Sequence, residues 1–336
     1  MSSPKKPRIA LIGTGGTISS ISLTETDYVD YPETGRKLSV EEVITQVPIL
    51  AEFADLVTIP FKEVGSSAIG PDDWLRLVTI IENTIAADPS IDGLVILHGT
   101  ATIEETAWFL SLTLVVPQPV VLVGAQRPLN TVGSDAQSNA IAALRVAGDP
   151  QSIGRGVMVV LNDEIHHARE VAKGSTYRLH AFNSGAFGPL GVIDPDRVIY
   201  SRRSERQEMK TRVPFRVTME TQLPRVDILY ASAGMDDTFV KASLAAGAKG
   251  IISAGFAPGL QSPIERAALV QASRGGTIVV QSTRVGSGRV SRRLWLTREG
   301  WIASDDLTPH KARILLMLAL ACNGSPEQIQ HYFNTY

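Results

Sequence analysis

Four short segments carry side chains suited to chemistry. The first is Gly13-Thr14-Gly15-Gly16-Thr17-Ile18. Its glycines permit sharp turns and close approach of a ligand, and Thr17 offers a hydroxyl nucleophile. A dinucleotide loop needs G-x-G-x-x-G/A, and Ile18 stands where the third small residue belongs. A phosphate-binding P-loop is excluded, because Gly-Lys-Ser/Thr occurs nowhere. A plain turn is the alternative. The second segment is His98-Gly99-Thr100-Ala101-Thr102-Ile103-Glu104-Glu105-Thr106. Hydroxyls and free N–H groups at a helix start can hold an anion or an oxyanion. Thr100 or Thr102 followed by acids also fits an N-cap with a capping box, which the segment alone favours. The third is Ala172-Lys173-Gly174-Ser175. A lysine desolvated until it is partly neutral serves as a base, whereas most lysines are simply solvated. The upstream pair His166-His167 lacks H-E-x-x-H or any other ligand spacing and reads as a surface pair. The fourth, Gly65-Ser66-Ser67, otherwise reads as an ordinary polar turn.

The elements around these segments alternate. Strands are expected at Arg8–Ile12, Val57–Phe61, Gly93–Leu97, Val120–Val123 and Gly156–Leu161. Helices are expected at Ser39–Val47, Pro71–Ala87, Ile103–Leu112 and Asp135–Val146. In Pro71–Ala87, Trp74, Leu77, Val78 and Ile81 fall at i, i+3, i+4 and i+7. Buried apolar runs alternating with helices imply βαβ units and a mainly parallel sheet. The pattern fails over Ser201–Leu223, which carries Arg202, Arg203, Arg206, Lys210 and Arg212. After Pro224 a second series begins, with strands Val226–Tyr230, Gly250–Ala254 and Thr277–Gln281. Helices Thr238–Ala246, Ile264–Ser273 and Pro309–Ala321 accompany them. The expected organisation is α/β throughout: a larger N-terminal domain (1–204), a linker (205–224) and a smaller C-terminal domain (225–336).

Composition narrows the function classes. The chain has 336 residues, enough for about two domains. Its 32 Lys+Arg against 34 Asp+Glu leave a net charge of −2. Near-neutrality argues against a nucleic-acid or membrane-surface binder, both of which need a basic face. Cys322 is the single cysteine, which excludes an internal disulfide and a cysteine-ligated zinc. The apolar run Ile9–Ile12 is too short for a signal-peptide core, and no segment approaches about 18 apolar residues. A cytoplasmic protein is expected.

Taken in order, the segments form a joint pattern. TGGTI after a strand is followed by a serine loop, HGT-x-T-x-EET-A-x-FL, GAQRP, ND…R-V-x-K, FGPLG and ISAGF. The pattern resembles the bacterial asparaginase/glutaminase family from Arg8 to the end of the chain. The resemblance implies a large and a small α/β domain and threonine catalysis without metal or organic cofactor. It implies a homodimer or homotetramer whose active sites are shared, each completed by a neighbour's C-terminal domain. Thr17 matches the nucleophile. Thr100 matches the second threonine, which works with a lysine matched by Lys173 to handle protons and stabilise the oxyanion. Ser66 matches the residue that holds the substrate carboxylate, with Ser67 and Gly99 beside the substrate. A lid tyrosine that activates the nucleophile is matched by Tyr31 or Tyr28, with Tyr31 preferred.

The chain departs from the pattern at one telling place. The family motif HGTDT here reads His98-Gly99-Thr100-Ala101-Thr102. The missing aspartate pairs with the α-ammonium of asparagine or glutamine, which Ala101 cannot do. Other groups that face the ammonium in the family are absent too. The loop after ISAG reads Phe256-Ala257-Pro258-Gly259, and no acid occurs between Val285 and Thr297. Losing the partner of a buried charge costs about 2–5 kcal/mol. Three alternatives follow: an amidohydrolase for a carboxylate-bearing amide or lactam without a free α-ammonium, an impaired asparaginase, natural or engineered, or a non-catalytic binding member. Several ammonium-facing groups are absent together while Thr17, Thr100 and Lys173 remain, and that combination favours the first. Arg289, Arg292 and Arg293 are candidates to meet a substrate carboxylate, with plain surface arginines as the alternative.

Overall fold

The protein is described by a computed structural model over residues 5–204 and 215–336. It divides into two compact units, Met1–Met219 and Glu220–Tyr336. The division falls inside the expected linker, whose residues 205–214, with Arg206, Lys210 and Arg212, lie outside the described residues. Within that expected linker Phe215 is fully buried, and its N–H donates to Leu112 O in the first unit.

In the first unit the strands are β1 (Arg8–Gly15), β2 (Ser20–Ile21), β3 (Arg36–Lys37), β4 (Asp55–Val64), β5 (Gly93–Leu97), β6 (Val120–Val123), β7 (Val157–Leu161), β8 (Glu164–His167), β9 (Ala172–Lys173), β10 (Phe182–Asn183), β11 (Gly191–Ile193) and β12 (Val198–Tyr200). The helices are α1 (Tyr31–Thr34), α2 (Val40–Gln46), α3 (Leu50–Phe53), α4 (Pro71–Ala87), α5 (Ile103–Thr113) and α6 (Ala136–Gly148). Eight strands form one sheet in the order β12-β11-β8-β7-β6-β5-β1-β4.

The sheet is parallel from β4 to β7, as the alternating pattern requires. Its central strands are buried on both faces, so they read as continuous Val/Ile/Leu runs. Helix α4 begins with Pro71 at a position that needs no N–H, and Asp72 and Asp73 complement its dipole. Its buried stripe is the expected Trp74, Leu77, Val78 and Ile81.

Beyond β7 the sheet turns antiparallel through β8, β11 and β12, an edge the mainly parallel expectation did not contain. The cause is local. Asn162 and Asp163 both hold positive φ, 51° and 61°, and form the two-residue loop that folds β8 back along β7. His166 and His167 lie on β8 and are 1% exposed each, so they are not the surface pair that was expected. His166 Nδ1 lies 2.9 Å from Ser184 Oγ, which ties the segment after β10 to the sheet. β10 in turn pairs with β9 and sets Phe182 opposite Lys173.

The second unit holds β13 (Val226–Tyr230), β14 (Gly250–Gly255), β15 (Ile278–Thr283) and β16 (Ile302–Ala303) in an all-parallel sheet of that order. Helices α7 (Thr238–Ala245), α8 (Pro263–Arg274), α9 (Leu294–Glu299), α10 (Pro309–Ala321) and α11 (Pro326–Thr335) accompany it. Val240, Ile251, Leu269, Val279 and Trp301 belong to its core. Among the described residues no helix is long and apolar enough to cross a membrane.

Candidate active site

The candidate residues converge at the carboxyl ends of β1, β4 and β5, where ligands of open parallel sheets bind. At the end of β1, Gly15 and Gly16 hold positive φ and lead into a single 3-10 turn that starts at Thr17. A Cβ on Gly16 would lie 2.3 Å from the backbone of Gly99, so these two loops pack backbone to backbone. Gly99 is constrained from the other side as well, since its own Cβ would meet Ser66 Oγ at 2.8 Å. Thr14 Oγ1 donates to Leu97 O at 2.8 Å and joins the ends of β1 and β5.

The loop after β5 is held by His98, which is fully buried. Its Nδ1–H donates to Gly99 O at 2.8 Å. Its Nε2 accepts from Thr106 Oγ1 at 3.0 Å, which in turn accepts from Trp74 Nε1. Burial lowers the imidazole to about 4, against the hydrogen bond to Gly99, so it is neutral at pH 7. The capping box considered for Thr100 or Thr102 does not form. Thr102 occupies the N-cap position, but its hydroxyl donates to Ser66 O at 2.8 Å and binds the serine loop to this one. Ser66 is buried in a 3-10 turn after β4, while Ser67 is exposed.

Two hydrogen-bonded pairs stand out. Thr17 Oγ1 lies 2.7 Å from Tyr31 Oη, at the start of α1. Burial chiefly raises the phenol's pKa. The bond to Thr17 opposes this, and Asp135, Asp27 and Glu33 push it further up. Tyr28 points its hydroxyl elsewhere, donating to Val132 O at 2.8 Å. In the second pair Lys173 Nζ donates to Thr100 Oγ1 at 2.7 Å. Burial lowers the lysine's pKa, and the carboxylate of Glu104 acts in the opposite sense.

All eight predicted site residues line one pocket of 520 Å³: Thr17, Tyr31, Ser66, Ser67, Gly99, Thr100, Ala101 and Lys173. Sequence reasoning missed Gln126, Tyr177 and Lys37, which line it too. Gln126 lies inside the GAQRP segment but was given no role. Position 101 is exposed in the single chain. An exposed ion pair contributes only about 0–1 kcal/mol, so the larger cost expected of the missing aspartate applies to a covered site. In the second unit Arg289 pairs with Asp305, and Arg293 Nη2 donates to Gln281 Oε1 at 2.9 Å. Both have partners within their own unit. No group of three His, Cys, Asp or Glu is arranged to hold a metal among the described residues.

Residues 8–206 match the family model described as Asparaginase, N-terminal, and residues 225–333 match the Glutaminase/Asparaginase C-terminal domain. The chain belongs to the asparaginase family of amide C–N hydrolases. L-asparaginase 2 of Bacillus subtilis (strain 168) is 38% identical over 98% of this chain and 87% of its own length. L-asparaginase 2 of Escherichia coli (strain K12) is 37% identical over 98% and 93%. The crystal structure of a probable cytoplasmic L-asparaginase from Campylobacter jejuni superimposes with a TM-score of 0.92 at 37% identity, covering 98% of this chain and all of that one. The asparaginase fold accounts for both units and for the placement of the pocket at the strand ends of the first.

Proposed function

We propose that this asparaginase-family member hydrolyses an amide or lactam C–N bond in a small carboxylate-bearing substrate that lacks a free α-ammonium. One observation carries the proposal. The pocket keeps the Thr17–Tyr31 and Thr100–Lys173 pairs, yet its wall at position 101 is a methyl group. A site with that wall can polarise and attack an amide, but it offers no carboxylate there to an ammonium.

In this reading Thr17 Oγ1 attacks the amide carbon. The C–N bond breaks and the leaving nitrogen takes up a proton: from an open-chain amide it departs as ammonia or an amine, and from a lactam it stays on the acyl chain as an amine. Water then attacks the threonine ester and releases the acyl group as a carboxylate. The half-buried phenol, its pKa raised above the ordinary value, stays protonated at neutral pH, so Tyr31 relays the threonine proton rather than acting as a preformed phenolate. Lys173, brought toward neutrality by burial, exchanges a proton with Thr100, whose hydroxyl supports the oxyanion. Ser66 holds the substrate carboxylate, flanked by Ser67 and Gly99. No metal or organic cofactor enters these steps. The pocket is open to solvent along its exposed Ser67, Ala101 and Tyr177 side. Closure by a second copy, in a homodimer or homotetramer, is part of the proposal, as is a cytoplasmic location.

The competing reading is hydrolysis of L-asparagine, which the names of the relatives favour. A panel separates the two. Asparagine, N-acyl asparagine and succinamate are assayed side by side for release of ammonia or amine. The proposal requires a desamino or N-acylated amide to be turned over faster than asparagine. Preference for asparagine overturns it.

A further inference from the structure

Lys173 can handle a proton only if something aims its Nζ without fixing its charge, and we propose that Gln126 is that positioning residue. The inference rests on the role given above to Lys173. Gln126 Oε1 accepts from Lys173 Nζ at 3.4 Å, beside the 2.7 Å bond from the same Nζ to Thr100 Oγ1. The glutamine follows β6, and its backbone is pinned. Its N–H donates to both carboxylate oxygens of Asp135, at 3.1 and 3.0 Å. Asp135 is held in turn by Asn139 Nδ2, which also donates to Gly124 O.

Packing does not explain a glutamine here. Its Nε2 is buried and has no hydrogen-bond partner among the described residues. An orphaned buried donor is destabilising, and an apolar side chain of the same shape would avoid it. Turning the amide over would set its NH2 against the lysine ammonium, donor against donor. The amide is therefore held with its oxygen toward Nζ, and its pinned backbone fixes that direction. Its task follows from what surrounds Lys173. Glu104, on α5, supplies carboxylate charge and accepts from the Lys173 backbone N–H at 3.2 Å. The ring of Phe182 lies 5.9 Å from Nζ. Position 101 contributes a methyl group. Thr100 and Gln126 are neutral acceptors, so they direct the nitrogen while leaving it free to titrate.

The test reads the lysine directly. Full-length protein labelled with carbon-13 at the lysine ε-carbons is titrated by NMR, with the Lys173 signal assigned by its loss in Lys173→Met. Wild type, Gln126→Glu and Gln126→Met are compared, and each is also melted and assayed against pH. A carboxylate at 126 should raise the lysine pKa by about 1–3 units. Methionine should lower it while leaving Tm unchanged or higher, because the orphaned N–H2 is gone. If Gln126→Glu fails to fold, Gln126→Met carries the test alone. An unmoved lysine pKa in the folded variants overturns the role of Gln126. A lysine pKa that moves while the pH–rate limb stays put upholds Gln126 and removes Lys173 from the proton transfers.

Discussion

Restoring the family's aspartate at position 101 is the sharpest perturbation of the proposed site. Ala101→Asp places a carboxylate one residue from Thr100, whose hydroxyl accepts from Lys173 Nζ at 2.7 Å. For a separation of about 5 Å, the attraction between the charges is about 0.8 kcal/mol in water and about 3.3 kcal/mol at an effective dielectric of about 20. At about 1.4 kcal/mol per pH unit, that raises the lysine pKa by about 0.6 to about 2.4 units. Below its pKa the neutral lysine falls by the same factor, about 4-fold to about 250-fold. Position 101 is exposed in the single chain while Lys173 is half-buried. An open site therefore lies at the low end, and a site closed by a second copy lies toward the high end. The assay is kcat/KM on the preferred amide from pH 6 to pH 10, by ammonia or amine release. The ascending limb should move to higher pH by the calculated amount, with activity recovered on the alkaline side. Asparagine turnover should rise only slightly, because the other ammonium-facing groups are still missing. If Ala101→Asp alone restores efficient asparagine hydrolysis, the substrate does carry an α-ammonium and the proposal is refuted.

Thr17→Val should lower kcat by at least about three orders of magnitude with an unchanged circular dichroism spectrum, as expected for a lost nucleophile; full activity in the folded variant would eliminate the mechanism. His98 gives a stability prediction with a definite sign. Its folded pKa of about 4 lies below the ordinary value of 6.5, so the unfolded chain binds a proton first as pH falls. Stability is retained above pH 6.5 and lost down to about pH 4, a total of about 3 kcal/mol. Denaturant midpoints should fall through that window in wild type and more gently in His98→Asn; equal slopes would show that His98 is not the titrating group. In solution the protein should scatter light as a dimer or larger at micromolar concentration, and a fully active monomer would contradict the shared-site proposal.

How much of this was legible follows from where each signal resides. The strands of the parallel half were readable because burial on both faces demands unbroken apolar runs, as in Gly93–Leu97 and Val120–Val123. The antiparallel edge was not, since β8 is Glu-Ile-His-His and β11 and β12 have three residues each. Its one strong cue, the Asn162-Asp163 turn, went unread. Within the site, Thr17, Thr100 and Lys173 come from separate strand ends, so spacing alone could not join them; the family pattern did. Tyr28 and Tyr31 sit three residues apart, before and at the start of α1, and no periodicity separates them. Their hydroxyls do, one bonded to Thr17 and the other to Val132. Exposure at position 101 was equally invisible, because an alanine beside a strand end carries no mark of whether another chain covers it. Gln126 was the hardest to see. An amide in a loop has no hydrophobic period, and its partner Lys173 lies 47 residues away. Its significance appears only when the fold brings the two together and leaves Nε2 unpaired. What singles it out is geometric: its backbone N–H is fixed on Asp135, and its Oε1 reaches a lysine nitrogen already bonded to Thr100.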